Sequence, residues 1–315
     1  MKGDVFLPMS FLYFLEGLRN PVLDVIMQII THCGEELVFM AVAMLFIWCI
    51  DKKYGYYLLT IGFLGTQINQ LLKVTFRIER PWVRDPNFTI VESARAEATG
   101  YSFPSGHTQS SVGTFGGIAR LTKKRWLRIL CAVMCVLVPL SRMYLGVHTL
   151  WDTSVSFVIA LLLVFILYPI ITRSFEKIKA MRILFGVMIA WCVAQVCFME
   201  FFPFPAEANG EELYSALKNA YKMLGAVAGF YLVYELDHRF IRYNEADGSI
   251  WNKLLRWILG LIATVVVQEL CYAVFGLLPG EHGALFCRLF SYMVMVVFAG
   301  AVWPLTFPIF KKLLK

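Results

Sequence analysis

The chain has 315 residues, 59% of them hydrophobic and 16% charged, with a mean hydropathy of +0.65. Soluble domains carry nearer a quarter charged residues, so composition excludes an ordinary soluble protein. The net charge of +7 is no nucleic-acid signal, because the basic residues alternate with apolar runs. Runs long enough to cross a bilayer recur along the chain, which predicts an all-α, polytopic transmembrane helical bundle.

Residues 5–18 (VFLPMSFLYFLEGL) are apolar but short and broken by Pro8. They predict an interfacial N-terminal segment over residues 1–20. Asp4, Pro8 and Glu16, with no small-residue cleavage site after them, do not read as a cleaved signal peptide. Spans are predicted near 23–50, 54–75, 107–121, 126–144, 151–172, 181–202, 218–236, 251–277 and 285–309, about nine in all. The segment 107–121 is short and Gly-rich, which suits a helix buried against neighbours. The eight cysteines are scattered and form no CxxC pair; they read as small packing residues.

Lys52 and Lys53, the 123–128 cluster, Arg173 to Arg182, Arg239 and Arg242, and the C-terminal lysines fall in alternate turns. The positive-inside rule makes these turns cytoplasmic. Residues 76–106 and 142–150 then share the opposite, extracytoplasmic face, as does the N-terminus.

Three polar clusters concentrate on that face: KVTFRIERP with Lys73, Arg80 and Pro81; PSGH, residues 104–107; and SRMYLGVHTLWD with Ser141, Arg142, His148 and Asp152. A single basic residue at a span end merely snorkels. Several cations with two histidines at membrane depth are costly and point to function. Lys73 and Arg80 are seven apart, so on a helix they share a face. Such a pair suits an anion such as phosphate. Ser105 and Gly106 before a helix offer free backbone N–H groups and close approach to an anion, although an ordinary capped start reads the same way. His148 and Asp152 are four apart; a carboxylate beside an imidazole fixes its tautomer, and such a histidine can be a nucleophile. His107 suits general acid–base work. His32, His238 and His282 have no matching context. The surrounding cations argue against a metal.

In order, the clusters match K-x6-R-P, P-S-G-H and S-R-x5-H-x3-D. The chain thereby resembles the type 2 phosphatidic acid phosphatase (lipid phosphate phosphatase) superfamily, whose site is similar to that of vanadium haloperoxidases. The resemblance covers roughly residues 20–172. It implies that His148 attacks phosphorus to form a phosphohistidine, that Asp152 orients it, and that His107 protonates the leaving oxygen and then activates water. It also implies that Lys73, Arg80, Ser105, the Gly106 amide and Arg142 hold the phosphoryl oxygens, with no metal or other cofactor. Residues 21–175 would be the phosphatase core and 176–315 additional transmembrane helices. The family core usually has six spans, one more than the five predicted here; the N-terminal segment would stand in for the missing helix. A nine-span layout with an outside N-terminus is also similar to eukaryotic glucose-6-phosphatase.

The expected partners are therefore a lipid phosphate or other phosphorylated small molecule and the bilayer, with no nucleic acid. Polyprenyl diphosphate, phosphatidic acid and phosphatidylglycerol phosphate are candidate substrates, and a soluble sugar phosphate is the alternative. A non-hydrolytic anion or lipid transporter is a further alternative, with Glu269 beside Gln268 as its ion site against a plain interhelical hydrogen bond. Glu235, Asp237, His238 and Arg239 read as a solvated cluster. Residues 82–103 should cover the site; Arg84, Glu92 and Arg95 read as surface pairs, and Trp82 and Tyr101 as interfacial anchors. Compact loops point to a bacterial plasma membrane with the site facing outside.

Overall fold

The computed structural model describes residues 9–96, 98–205, 208 and 210–313. Residues 1–8 of the expected interfacial segment, Glu97 of the covering loop and Lys315 of the basic tail lie outside the described residues. Among the described residues the chain is helical and has no strand. Among the described residues, five helices are long and apolar enough to cross a membrane, and a sixth counts if one bent pair is a single span. The protein is an integral, multi-pass membrane protein. The chain divides into two compact units, residues 1–40 with 58–169 and residues 41–57 with 170–315.

The first unit begins with α1 (Ser10–Glu16), which turns Leu12 and Leu15 into a cluster with Phe88 and Met143 and leaves Phe14 exposed. Helix α2 (Pro21–His32) starts where sequence rules put a start: Asn20 caps it and Pro21 opens its first turn. The predicted span 23–50 is not one straight helix. The chain breaks after His32, and α3 (Glu36–Leu45), with its π-turn extension Phe46–Ile50, leaves at 46°.

Helix α4 (Lys52–Phe76) ends earlier than the Lys73–Arg80 pairing requires. Arg77 adopts a left-handed conformation, φ 50°, and turns the chain. Arg80 is extended because it precedes Pro81, the first residue of the short α5 (Pro81–Arg84). The expectation that Lys73 and Arg80 share a helical face is therefore wrong. A loop then runs to α6 (Gly106–Leu121), 16 residues with a largely buried polar and glycine face that includes Thr108, Ser111, Gly113, Thr114 and Gly117. Helices α7 (Arg125–Tyr144) and α8 (Leu150–Ser174) complete the unit.

The loop over residues 85–105 is tied down. Ile90, Ala94 and Ala98 pack with Tyr144, Leu145 and Val147, and the Ser102 amide donates to Ile78 O at 2.7 Å. Trp82, partly buried, packs against this cluster between Arg80 and Arg95. Arg95 and Glu92 pair on the surface at 2.8 Å, where each holds the other in its charged form.

In the second unit, α9 (Ile178–Phe201), α10 (Gly210–Leu236), α11 (Ile250–Phe275), α12 (Gly280–Val297) and α13 (Phe307–Leu313) follow. Gly225 and Gly229 lie one turn apart on α10 and touch the backbone of α12 at Leu289 and Met293. Small residues at this spacing permit close helix approach in a bilayer. Glu235 joins Arg182 and Arg239 at 2.6 and 2.8 Å, and Lys52 pairs with Asp237 at 2.8 Å. That group is knitted together, not merely solvated. Gln268 reaches Tyr272 in its own helix at 3.3 Å, Arg288 donates to the same Tyr272 hydroxyl at 2.7 Å, and Glu269 is exposed. All eight cysteines are free thiols, six of them buried.

Candidate active site

The site lies wholly in the first unit and is built from three chain segments. Arg80 is its hub. Its guanidinium donates to Gly100 O at 3.0 Å, Thr99 O at 2.6 Å and Val147 O at 2.9 Å, and its Nη1 stands 3.1 Å from His148 Nε2. Lys73, in the last turn of α4, reaches Tyr101 O. These two cations therefore meet the 99–101 backbone from the end of α4 and from the turn that follows it, although no single helix carries both.

Ser105 caps α6: its Oγ accepts from the Thr108 amide at 3.4 Å and the Thr108 hydroxyl at 3.0 Å. Its own hydroxyl hydrogen remains to be donated. The Ser105 amide donates to Asp152 O at 3.0 Å, which ties the start of α6 to the start of α8. Gly106 is exposed, and a Cβ there would meet nothing within 4 Å. The first amides of α6 thus border open space, the setting in which a helix N-terminus receives an anion. His107 follows, partly buried.

His148 lies two residues before α8 and is 2% exposed. Its Nδ1 faces Asp152 Oδ2 at 3.5 Å. Asp152 Oδ2 takes its hydrogen bonds from Ser102 Oγ at 2.6 Å and the Thr149 amide at 2.7 Å, while Thr149 Oγ1 accepts from the Asp152 amide at 3.3 Å. This reciprocal Thr-x-x-Asp pair is a capping box. Burial, and after it the charges of Arg80, Arg142 and Lys73, hold the His148 imidazole well below its ordinary pKa, so it is neutral near pH 7. Arg142, 1% exposed in the last turn of α7, donates to Thr31 Oγ1 at 2.9 Å. Neighbouring Ser141 turns back to Val138 O at 2.7 Å.

Sequence reasoning missed Ser102, Thr149 and Thr31. The capping box was legible as T-x-x-D. Ser102 stands three residues before Ser105, and Thr31 follows the apolar Ile29 and Ile30, three residues before Gly34. Among the described residues, no group of three His, Cys, Asp or Glu is placed to hold a metal ion.

Residues 52–176 match the PAP2 superfamily, and residues 221–313 match the PAP2 superfamily phosphatase transmembrane extension. Phosphatidylglycerophosphatase B of Bacillus subtilis is 33% identical over 183 residues, covering 52% of this chain and 81% of that protein. The chain belongs to the PAP2 superfamily. Undecaprenyl-diphosphatase BcrC of the same organism is 31% identical over 154 residues, covering 48% of this PAP2 chain and 76% of that protein. Sphingosine-1-phosphate phosphatase 1 of Rattus norvegicus is 29% identical over 147 residues, covering 45% of this chain. This PAP2 chain spans only 33% of that rat protein's length. No solved structure matches at a significant level.

Proposed function

We propose that this protein is a membrane phosphatase that hydrolyses a phosphomonoester or diphosphate of a lipid at the extracytoplasmic face. The observation that carries the reading is the setting of His148, with Nδ1 facing Asp152 at 3.5 Å and Nε2 beside Arg80 at 3.1 Å. A proton on Nδ1, held toward the carboxylate, makes Nε2 the basic nitrogen; its lone pair accepts from Arg80 Nη1 here and becomes available to phosphorus when that N–H turns to a phosphoryl oxygen.

Nε2 attacks phosphorus, and the bond to the leaving oxygen breaks. His107, which takes up a proton when the anionic phosphate binds beside it, gives that oxygen its proton. The neutral His107 then takes a proton from water; the resulting hydroxide attacks the phosphohistidine, the P–N bond breaks and inorganic phosphate leaves. Lys73, Arg80, Arg142, Ser105 and the Gly106 amide stabilise the charge that shifts onto the phosphoryl oxygens. With positive charge supplied by side chains, the scheme needs no metal.

The names of the relatives favour a lipid or polyprenyl substrate over a soluble sugar phosphate. The reading assigns residues 21–175 to the catalytic core, residues 176–315 to a helical extension and residues 1–20 to the interface. About nine helices cross a bacterial plasma membrane. Phosphate release by purified protein in detergent with EDTA, across lipid-phosphate, polyprenyl-diphosphate and sugar-phosphate substrates, tests it. His148→Ala is expected to abolish release while the protein stays folded. Unimpaired release by that variant would defeat the mechanism, and no release by the wild-type protein from any substrate would turn attention to transport.

A further inference from the structure

The break between α2 and α3 touches the candidate site twice. Thr31, in the last turn of α2, is fully buried, and its Oγ1 accepts a hydrogen bond from Arg142 Nη1 at 2.9 Å. Three residues on, Gly34 lies against His107: a Cβ there would stand 3.0 Å from His107 O, 3.3 Å from His107 Cβ and 2.7 Å from a Val138 methyl. One turn of chain therefore meets both a guanidinium assigned to the phosphate and the backbone of the histidine assigned to proton transfer. Both contacts come from upstream of residues 52–176, the segment that matches the superfamily.

We propose that Thr31 is a positioning residue for Arg142, and that the α2–α3 break is part of the phosphate-binding site. The inference rests on the phosphatase reading, in which Arg142 grips a phosphoryl oxygen. A guanidinium recognises oxyanions through N–H groups fixed in one plane, so its rotation decides whether two of them point at the anion. Arg has a long, rotamer-rich stem, and ordering it costs side-chain entropy. A buried hydroxyl at Nη1 fixes one edge of the fork before the ligand arrives. Threonine suits the task because its branched Cβ restricts the rotamer of the hydroxyl. Gly34 lets the break seat against α6 without displacing the His107 backbone.

The competing account is that Thr31 only satisfies a buried arginine. The two accounts differ in what a near-isosteric change does to anion affinity. The experiment compares wild type, Thr31→Val and Thr31→Ser in detergent. It measures steady-state hydrolysis, competitive inhibition by inorganic phosphate and orthovanadate, direct phosphate binding by calorimetry, and thermal stability. In Thr31→Val the inhibition and dissociation constants for both anions are expected to weaken roughly tenfold, the scale of one hydrogen bond to a charged group. KM is expected to rise with them. Thr31→Ser, which keeps the hydroxyl, restores most of the affinity. Unchanged anion constants in folded Thr31→Val would overturn the inference, as would an equal loss in Thr31→Ser. Wild-type protein that binds phosphate but hydrolyses nothing would sink the phosphatase reading alone, because the binding comparison still decides on Thr31. Wild-type protein that neither binds nor releases phosphate would remove both.

Discussion

Asp152 faces His148 at 3.5 Å, yet its Oδ2 is held by Ser102 Oγ at 2.6 Å and the Thr149 amide at 2.7 Å. Those two donors fix the carboxylate before it meets the imidazole. Ser102 is fully buried, so its hydroxyl is not replaced by solvent when removed. Hydrogen bonds to charged groups contribute about 1.5–3 kcal/mol. Ser102→Ala is therefore expected to lower kcat at least tenfold, with KM nearly unchanged because Ser102 acts through Asp152. A kcat equal to wild type would mean that the capping box alone orients Asp152. The spacing of His148 and Asp152 was legible because four residues bring two side chains together even at a helix start. Ser102 was not legible, because its contact with Asp152 is made by tertiary folding across 50 residues. The helical pairing of Lys73 with Arg80 failed for a local reason: Arg77 turns left-handed and Pro81 keeps Arg80 extended.

Helices show the same division between what a pattern announces and what packing decides. Apolar runs located α7, α8 and α9 within a few residues. The same runs merged α2 with α3 across the polar His32, Glu35 and Glu36, which flank the 46° bend. Gly34, pressed on His107, is a further mark of the break. Glycines on α10 differ in role from the glycine on α9. A Cβ at Gly225 would sit 2.0 Å from the Leu289 carbonyl oxygen, a backbone atom that cannot swing aside, whereas one at Gly186 meets nothing within 4 Å. Gly225→Ala must separate α10 from α12, and overpacking of this kind costs about 1–3 kcal/mol. Gly186→Ala only restricts the unfolded chain and improves helix propensity, worth up to about 1 kcal/mol. Thermal unfolding in detergent is expected to drop by several degrees for Gly225→Ala and to hold or rise for Gly186→Ala. A fall of equal size in both would remove the close-contact account.

For the whole molecule, composition announces a membrane protein, but the number of crossings is not a matter of apolar length alone. Among the described residues, five helices pass on length and apolarity. Helix α4 carries Gln67, Asn69, Gln70 and Lys73, α6 has 16 residues, and α10 opens with Glu211 and Glu212 and continues through Lys218 and Lys222. Gln67 and Asn69 are buried among protein atoms, so they need not be apolar to lie at membrane depth. Sidedness is the more consequential inference, because it sets which leaflet offers the substrate. The basic turn at Lys123 and Lys124 lies between α6 and α7, and the loop through Asn87 lies between α4 and α6. If α6 crosses the membrane, these two points are on opposite sides, and the positive-inside rule makes the Asn87 side extracytoplasmic. Asn87 and Lys124 are both exposed, and the more accessible native thiols, Cys33 and Cys197, can be replaced by serine. In that background, Asn87→Cys is expected to react with a membrane-impermeant maleimide in intact cells, and Lys124→Cys only after permeabilisation. Labelling of Lys124→Cys alone in intact cells would put the candidate site at the cytoplasmic face. Labelling of both would mean that α6 does not separate them, and the positive-inside argument would then have no barrier to act across.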